Sequence, residues 1–185
     1  MVDKIKLDLG CGSKKREGFV GCDQYAMEGV DHVFNIGYDI WPFEDNSVDE
    51  AHASHFIEHL NTKERVHFFN ELYRVMDNGA KATIITPHWA SNRAYGDMTH
   101  QWPPVAEMFF YYLKQEWRDS QAPHTDKKWN KTNGFSCDFD ATWGYSFSPD
   151  LGVRAPEHVQ FALANYKEAA QDLYATVTKP ALKVD

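Results

Sequence analysis

The stretch KIKLDLGCGSKK, running from Lys4 to Lys15, decides the fold. Ile5, Leu7 and Leu9 alternate with Lys6 and Asp8 and stop at Gly10, the pattern of a buried strand whose end is kept bare for a ligand. Four further strand-like runs follow before residue 90: GFVGCD (Gly18 to Asp23), VDHVFNI (Val30 to Ile36), VDEAHASH (Val48 to His55) and KATIITP (Lys81 to Pro87). Strands recurring between helical or turn-like segments predict an α/β sheet.

Asn61 with Glu64 three residues on forms a capping box, and Val66, Phe69, Tyr73 and Met76 share one face of the helix it opens. DNG, Asp77 to Gly79, is expected to end that helix, with the glycine in the left-handed position. From Phe135 the run FSCDFDATWGYSF alternates apolar and smaller residues through Phe147, predicting a long strand. Pro156 opens a helix to about Gln171, and Asp172 to Lys179 reads as the last strand. The polar stretch Asp119 to Gly134 has no apolar period and reads as a mobile loop inserted within one domain, residues 1–185.

Bulk properties exclude several classes. A chain of 185 residues is expected to build one core. Its net charge of -8 repels a phosphate backbone, and the basic clusters Lys14 to Arg16 and Lys127 to Lys131 are too short to argue for nucleic acid. Cys11, Cys22 and Cys137 form no C-x-x-C pair and are odd in number, which fits reduced thiols and a cytoplasmic location. No stretch approaches the ~20 apolar residues of a membrane span.

Gly10 and Gly12 suit two ligand classes, nicotinamide dinucleotides and S-adenosylmethionine, since both bring a nucleoside to the carboxyl ends of parallel strands. The dinucleotide fingerprint needs a third glycine where Lys15 stands, and an acidic residue roughly 20 residues further on. Asp23 comes too early for that. A nicotinamide oxidoreductase is therefore the weaker reading.

LDLGCGS, the acidic strand end at Asp23, YDIWPFEDNSVDEAHASHFIEHL and ELYRVMDNGAKATIITP together resemble a class I S-adenosylmethionine-dependent methyltransferase of the type 11 kind, in a compact variant. The resemblance covers about residues 4 to 90. It implies a Rossmann-like α/β fold: a seven-stranded, mostly parallel sheet with an antiparallel last strand and helices on both faces. It also implies Asp8 near the cofactor's amino group, with Gly10 and Gly12 letting backbone approach the methionine end. Asp23 would meet the ribose hydroxyls, Asp39 the adenine amino group, Ile40 the ring, and His55 would join the cofactor site. SKKREG between the first two strands is short for the family, so the first crossover helix is expected to be a turn, leaving part of the sheet less covered.

HFIEH, His55 to His59, fits the inverted zincin pattern, but that site needs a sustained helix and the preceding residues read as strand. No metal is expected there. Beyond the fifth strand, His88, Tyr95, Asp97 and His100 lie where α/β folds bind ligands. Methyl transfer is an in-line displacement that requires alignment and, for a hydroxyl or amine, removal of a proton. His100 is the preferred base, with Asp97 to orient it and His88 second. A loop pinned by Asp97 and His100, or a metal held by His88, Asp97 and His100, are the alternatives. The aromatic segment WPPVAEMFFYYLKQEW is expected to cover the core, with an acceptor-pocket wall or a dimer face as the alternatives.

The expected function is methyl transfer from S-adenosylmethionine to a small-molecule hydroxyl or amine, with no nucleic acid or membrane partner. The oligomeric state is left open, a homodimer included. The alternative is a non-catalytic S-adenosylmethionine-binding module or regulatory partner.

Overall fold

The computed structural model describes residues 4–181. The first strand is β1 (Ile5–Leu9), which buries Leu7 and Leu9 while Lys6 stays exposed. Around it assemble β2 (Val20–Asp23), β3 (His32–Val33), β4 (Val48–Ser54), β5 (Met76–Pro87), β6 (Asp140–Phe147) and β7 (Ala170–Thr178), in the order β3-β2-β1-β4-β5-β7-β6. β1 to β5 run parallel to one another, and β7 lies antiparallel to both β5 and β6. The seven strands and the single antiparallel last strand are as expected.

The helices are α1 (Thr62–Val75), α2 (Arg93–Gly96), α3 (Glu107–Tyr111), α4 (Gln115–Gln121), α5 (Pro149–Gly152) and α6 (Pro156–Asn165), with 3-10 turns at Ile57–His59 and Pro123–Thr125. α1 starts as read: the Asn61 side chain accepts from the Lys63 and Glu64 N–H groups, and Glu64 accepts from Asn61 N–H. It lays Phe68, Phe69, Leu72 and Val75, all fully buried, against Leu7, Leu9, Ala51, Ala53, Ala82 and Ile84 of the sheet. Each such side chain contributes about 1.5–3 kcal/mol relative to exposure.

The face opposite α1 is polar. Lys6 pairs with Glu50, Glu50 with Lys81, Lys81 with Thr178 and Thr178 with Asp140, a polar row across five strands. Thr83, Thr176 and Thr142 form the next row, and Tyr174 stands 41% exposed beyond it. This face is partly covered: Asp8 and His52 on it are buried, and Thr83, Thr176 and Thr178 are half-buried. A right-handed crossover from β4 to β5 puts α1 on the core face, so helices on the opposite face would come from the β1–β2 and β2–β3 connections, which move the other way across the sheet. Neither connection contains a helix, and neither does the β3–β4 connection. The short SKKREG segment is the turn the sequence suggested.

Three boundaries differ from expectation. α1 ends at Val75 and β5 begins at Met76, which pairs with Val48, so Gly79 sits at φ 83° in a bulge of the strand and not at a helix end. The Phe135 alternation becomes strand only from Asp140, because Asn70 Oδ1 accepts from the Ser136 and Cys137 N–H groups before the chain reaches the sheet. α6 stops at Asn165, leaving Ala170 to begin β7.

The polar stretch 119–134 holds the end of α4 and the 3-10 turn Pro123–Thr125. Arg118, fully buried, donates from Nε to Asp126 Oδ2 at 3.0 Å, from Nη1 to Tyr112 O at 2.7 Å, and from Nη2 to Gln115 Oε1 at 3.0 Å and Cys137 O at 2.7 Å. The segment's start is therefore anchored to the core. Cys22 and Cys137 are buried free thiols whose pKa burial pushes up to about 12, and Cys11 rises to about 11 for the same reason. Among the described residues, no helix is long and apolar enough to cross a membrane.

Candidate active site

The carboxyl ends of β1, β2 and β4 meet at the glycine loop. Gly10 has φ 71°, and its N–H donates to Cys22 O at 2.8 Å, which ties the loop to the end of β2. A Cβ at Gly10 would stand 2.2 Å from Phe56 Cδ2, so the glycine is required by a ring packed against the backbone. Gly12, at φ 53°, differs: nothing lies within 4 Å of where its Cβ would be, and it is the open position of the loop.

Asp23 ends β2 directly beside this opening. Its Oδ2 accepts from Gly12 N–H at 3.0 Å and its Oδ1 from Tyr25 N–H at 3.0 Å. A carboxylate has about four acceptor positions, so two remain for a diol. Asp8 is more fully engaged: Oδ2 accepts from Arg16 N–H at 2.8 Å, and Oδ1 lies 3.0 Å from His52 Nδ1. With 4% exposure its visible task is to hold the short β1–β2 connection against β4. Asp39 accepts from Asn35 N–H at 2.8 Å, and Ile40 beside it is 80% exposed, an apolar side chain with one side free.

A second opening, about 530 Å³, lies past the ends of β4 and β5. His55, Arg93, Asp97 and His100 line it with Pro87, Met98 and Thr99. His55 takes φ 53° at the end of β4, and its N–H donates to Ile85 O at 2.8 Å. Glu58, 3.3 Å from His55 Nδ1, raises the His55 pKa against the opposing effect of burial. Arg93 is held by Asp172, at the start of β7, 3.1 Å from its guanidinium.

His100 is positioned differently from the expectation. Its Nδ1 lies 3.3 Å from Ala94 O, which can only accept, so Nδ1 carries the proton and Nε2 the lone pair. Asp97 approaches Nε2 only to 3.9 Å, too far for a hydrogen bond, and instead accepts from Thr99 N–H and Thr99 Oγ1–H. Those bonds hold the Asp97 pKa below the usual carboxylate range. The backbone of Ala94, not Asp97, orients the ring.

His88 stands apart from this opening. It is 1% exposed, its Nδ1 accepts from Ala90 N–H at 3.3 Å, and Nε2 donates to Glu107 Oε1 at 3.0 Å. Both nitrogens are used, and this is the geometry of a structural histidine. Burial alone would raise the Glu107 pKa, but hydrogen bonds from His88 and Tyr145 lower it to about 2. His88, Asp97 and His100 thus do not assemble as one metal site. The inverted zincin arrangement is also absent, because Ile57–His59 makes a single 3-10 turn and His55 precedes it at positive φ.

Sequence reasoning missed Arg93, whose place depends on Asp172 far along the chain, and Glu58, which looked like a motif letter without a helix to carry it. Glu58 is 4% exposed, and neither carboxylate oxygen has a hydrogen-bond partner.

Residues 21–84 match a family model, Methyltransf_11, described as a methyltransferase domain. No curated protein sequence matches the chain. Among solved structures, a SAM-dependent methyltransferase from Archaeoglobus fulgidus is 20% identical with a TM-score of 0.63, the match covering 95% of this chain and 86% of that one. The YcgJ protein of Bacillus subtilis gives 12% and 0.53, covering 96% and 92%. A geranyl diphosphate C-methyltransferase from Streptomyces coelicolor A3(2) gives 15% and 0.50, covering 96% and 70%. Residues 21–84 thus match a methyltransferase-domain model, and nearly the whole chain shares the fold of the SAM-dependent methyltransferase from Archaeoglobus fulgidus.

Proposed function

We propose that the chain transfers a methyl group from S-adenosylmethionine to a hydroxyl or amine of a small molecule seated in the opening between His55 and His100. The observation that carries this reading is the meeting of Gly12 and Asp23, 3.0 Å apart at the ends of adjacent parallel strands, with space beside Gly12 and acceptor positions left on Asp23. When bound, S-adenosylmethionine supplies an electrophilic methyl on a sulfonium centre. Asp23 would hold the ribose hydroxyls, Asp39 the adenine edge and Ile40 one face of the ring.

The residues of the second opening serve the acceptor. Arg93 keeps donors free beyond its contact with Asp172 and would hold an anionic or hydroxylated end of the molecule. Two imidazoles line the opening, and each can take a proton: His100 at Nε2, and His55, which is half exposed. Alignment of acceptor and methyl, supplied by such contacts, is the larger part of the catalysis.

The test is calorimetric titration with S-adenosylmethionine, S-adenosylhomocysteine and NAD, on the natural chain and on Asp23→Ala. Binding of both sulfur ligands but not NAD is expected, weakened in Asp23→Ala by the ~1.5–3 kcal/mol of hydrogen bonds to a charged group. Failure of both sulfur ligands to bind at millimolar concentration would refute the cofactor assignment. Binding without release of S-adenosylhomocysteine across a panel of hydroxylated and amine metabolites would favour the non-catalytic binding module.

A further inference from the structure

Ile57–His59 and the segment around His100 are clamped together by backbone contacts. Gln101 N–H donates to Glu58 O at 2.8 Å, and the buried Arg65 guanidinium donates to Ile57 O, Gln101 O and Pro103 O. Between the two segments, one potential ligand atom from each of Glu58, His59 and His100 lies within 4.8 Å of the other two. The two imidazoles meet edge to face with centroids 4.7 Å apart.

The proton positions make this cluster unusual. Thr99 Oγ1–H donates to Asp97 Oδ1 at 2.7 Å, so the same hydroxyl meets His59 Nδ1, at 2.9 Å, as an acceptor. His59 therefore carries its proton on Nδ1 and its lone pair on Nε2. His100 has the same tautomer, fixed by Ala94 O. The Glu58 carboxylate is buried with both oxygens lacking a hydrogen bond; His55 Nδ1 comes within 3.3 Å of one without completing one, and Arg65 spends its donors on carbonyls. One nitrogen of each imidazole and a buried carboxylate without a completed hydrogen bond thus lie close together. Beside the His55–Glu58 ion pair, this group of acceptors offers three ligands to a divalent cation.

We propose that Glu58, His59 and His100 bind a divalent first-row transition metal ion, with zinc the first choice. Two imidazoles and one carboxylate suit such ions and not magnesium or calcium, which prefer all-oxygen shells. Ligands at ~2.0–2.2 Å about a tetrahedral ion stand ~3.4 Å apart, so the three side chains need draw in by little more than 1 Å. Thr99 and Ala94 already supply the outer hydrogen bonds that fix each imidazole's free nitrogen. His100 also lines the second opening, so an ion held by these residues would sit beside it. His55 is then the imidazole left to take a proton. Metal binding stands independently of the methyl-transfer reading.

The test uses the full chain, stripped with a chelator and titrated calorimetrically with Zn²⁺, and separately with Co²⁺ followed by visible absorption. One equivalent of Zn²⁺ is expected, displacing Co²⁺ and unaffected by millimolar Mg²⁺. Glu58→Gln, which keeps side-chain shape, and His100→Ala should each weaken binding by at least about 100-fold. Thr99→Val should weaken it by about 10–100-fold through the His59 tautomer, and His32→Ala, on the edge strand β3, should leave it unchanged. No stoichiometric binding by the natural chain would overturn the proposal, as would binding insensitive to Glu58→Gln. Should a variant fail to fold by circular dichroism, the natural chain's stoichiometry and its Co²⁺ spectrum still decide: a spectrum lacking nitrogen ligation rejects the site.

Discussion

Arg118→Met is the sharpest test of how the 112–139 region is held. Methionine keeps most of the apolar stem but removes four hydrogen bonds, to Asp126, Tyr112, Gln115 and Cys137. Asp126, 2% exposed, then keeps its charge with only Lys128 N–H and the Gln115 side chain to support it. Removing one partner of a buried ion pair costs about 3–5 kcal/mol. The two remaining donors to Asp126 argue for the lower part of that range, and the orphaned carbonyls of Tyr112 and Cys137 for the upper, so we expect about 4 kcal/mol. For a domain of ordinary stability, about 5–15 kcal/mol, this is a large fraction. Urea unfolding followed by tryptophan fluorescence reads it as a lower midpoint at unchanged slope. Arg118→Met with Asp126→Asn should be less damaging than the sum of the two single changes, because no uncompensated charge remains. Sodium chloride at 0.5 M should barely alter the result, since buried pairs are weakly screened. A loss below 1 kcal/mol at unchanged slope would refute the reasoning.

Three further outcomes are expected. Gly10→Ala combines positive φ with a Cβ placed 2.2 Å from the Phe56 ring and should cost about 2–4 kcal/mol, with partial relief by Phe56→Ala in the same chain; additive losses in urea unfolding would contradict it. Glu107→Gln should reduce stability most above about pH 5, and the difference from the natural chain should fade as pH falls toward 2. The folded carboxyl is depressed to about 2 from 4.5, so its contribution is present above the unfolded value and lost on acidification. A difference that stays constant between pH 7 and 2.5 would rule this out. Asn61→Ala removes the capping box of α1 and should cost about 1 kcal/mol, seen as a modest fall in thermal midpoint.

The parts of the molecule legible in its sequence are those fixed by near neighbours. The Ile5, Leu7, Leu9 alternation and the stop at Gly10 identified β1, and Asn61 with Glu64 identified the start of α1, because each signal lies within a few residues. The end of α1 was misread because Gly79 is a strong local stop, whereas pairing of Met76 with Val48 pulls the chain into the sheet sooner. Polar composition concealed the Arg118–Asp126 pair, since two charges look solvated until the fold buries them together. The candidate site divides the same way. Asp23 and Gly12 were readable because a strand end and a glycine loop have a fixed relation in a parallel sheet, and their 3.0 Å contact follows from it. His88 looked equivalent to His100 until Glu107 and Ala90 occupied both its nitrogens. Glu58 and His59 met His100 only through the clamp at Gln101, a contact that no local pattern encodes.

The polar side of the sheet leaves the strands unequally exposed to mutation. Along β5 and β7, Ala82, Ile84, Ala175 and Val177 are fully or almost fully buried, while Lys81, Thr83, Thr176 and Thr178 between them reach solvent. A saturation library should therefore record a two-residue beat of intolerance and tolerance through the middle of the domain, where a sheet enclosed by two helical layers would be intolerant throughout. Substitutions drifting in on the tolerant beat change charge and solubility with little effect on folding, so lineages of this compact chain can diverge in surface character from the centre of the sheet as well as from its loops.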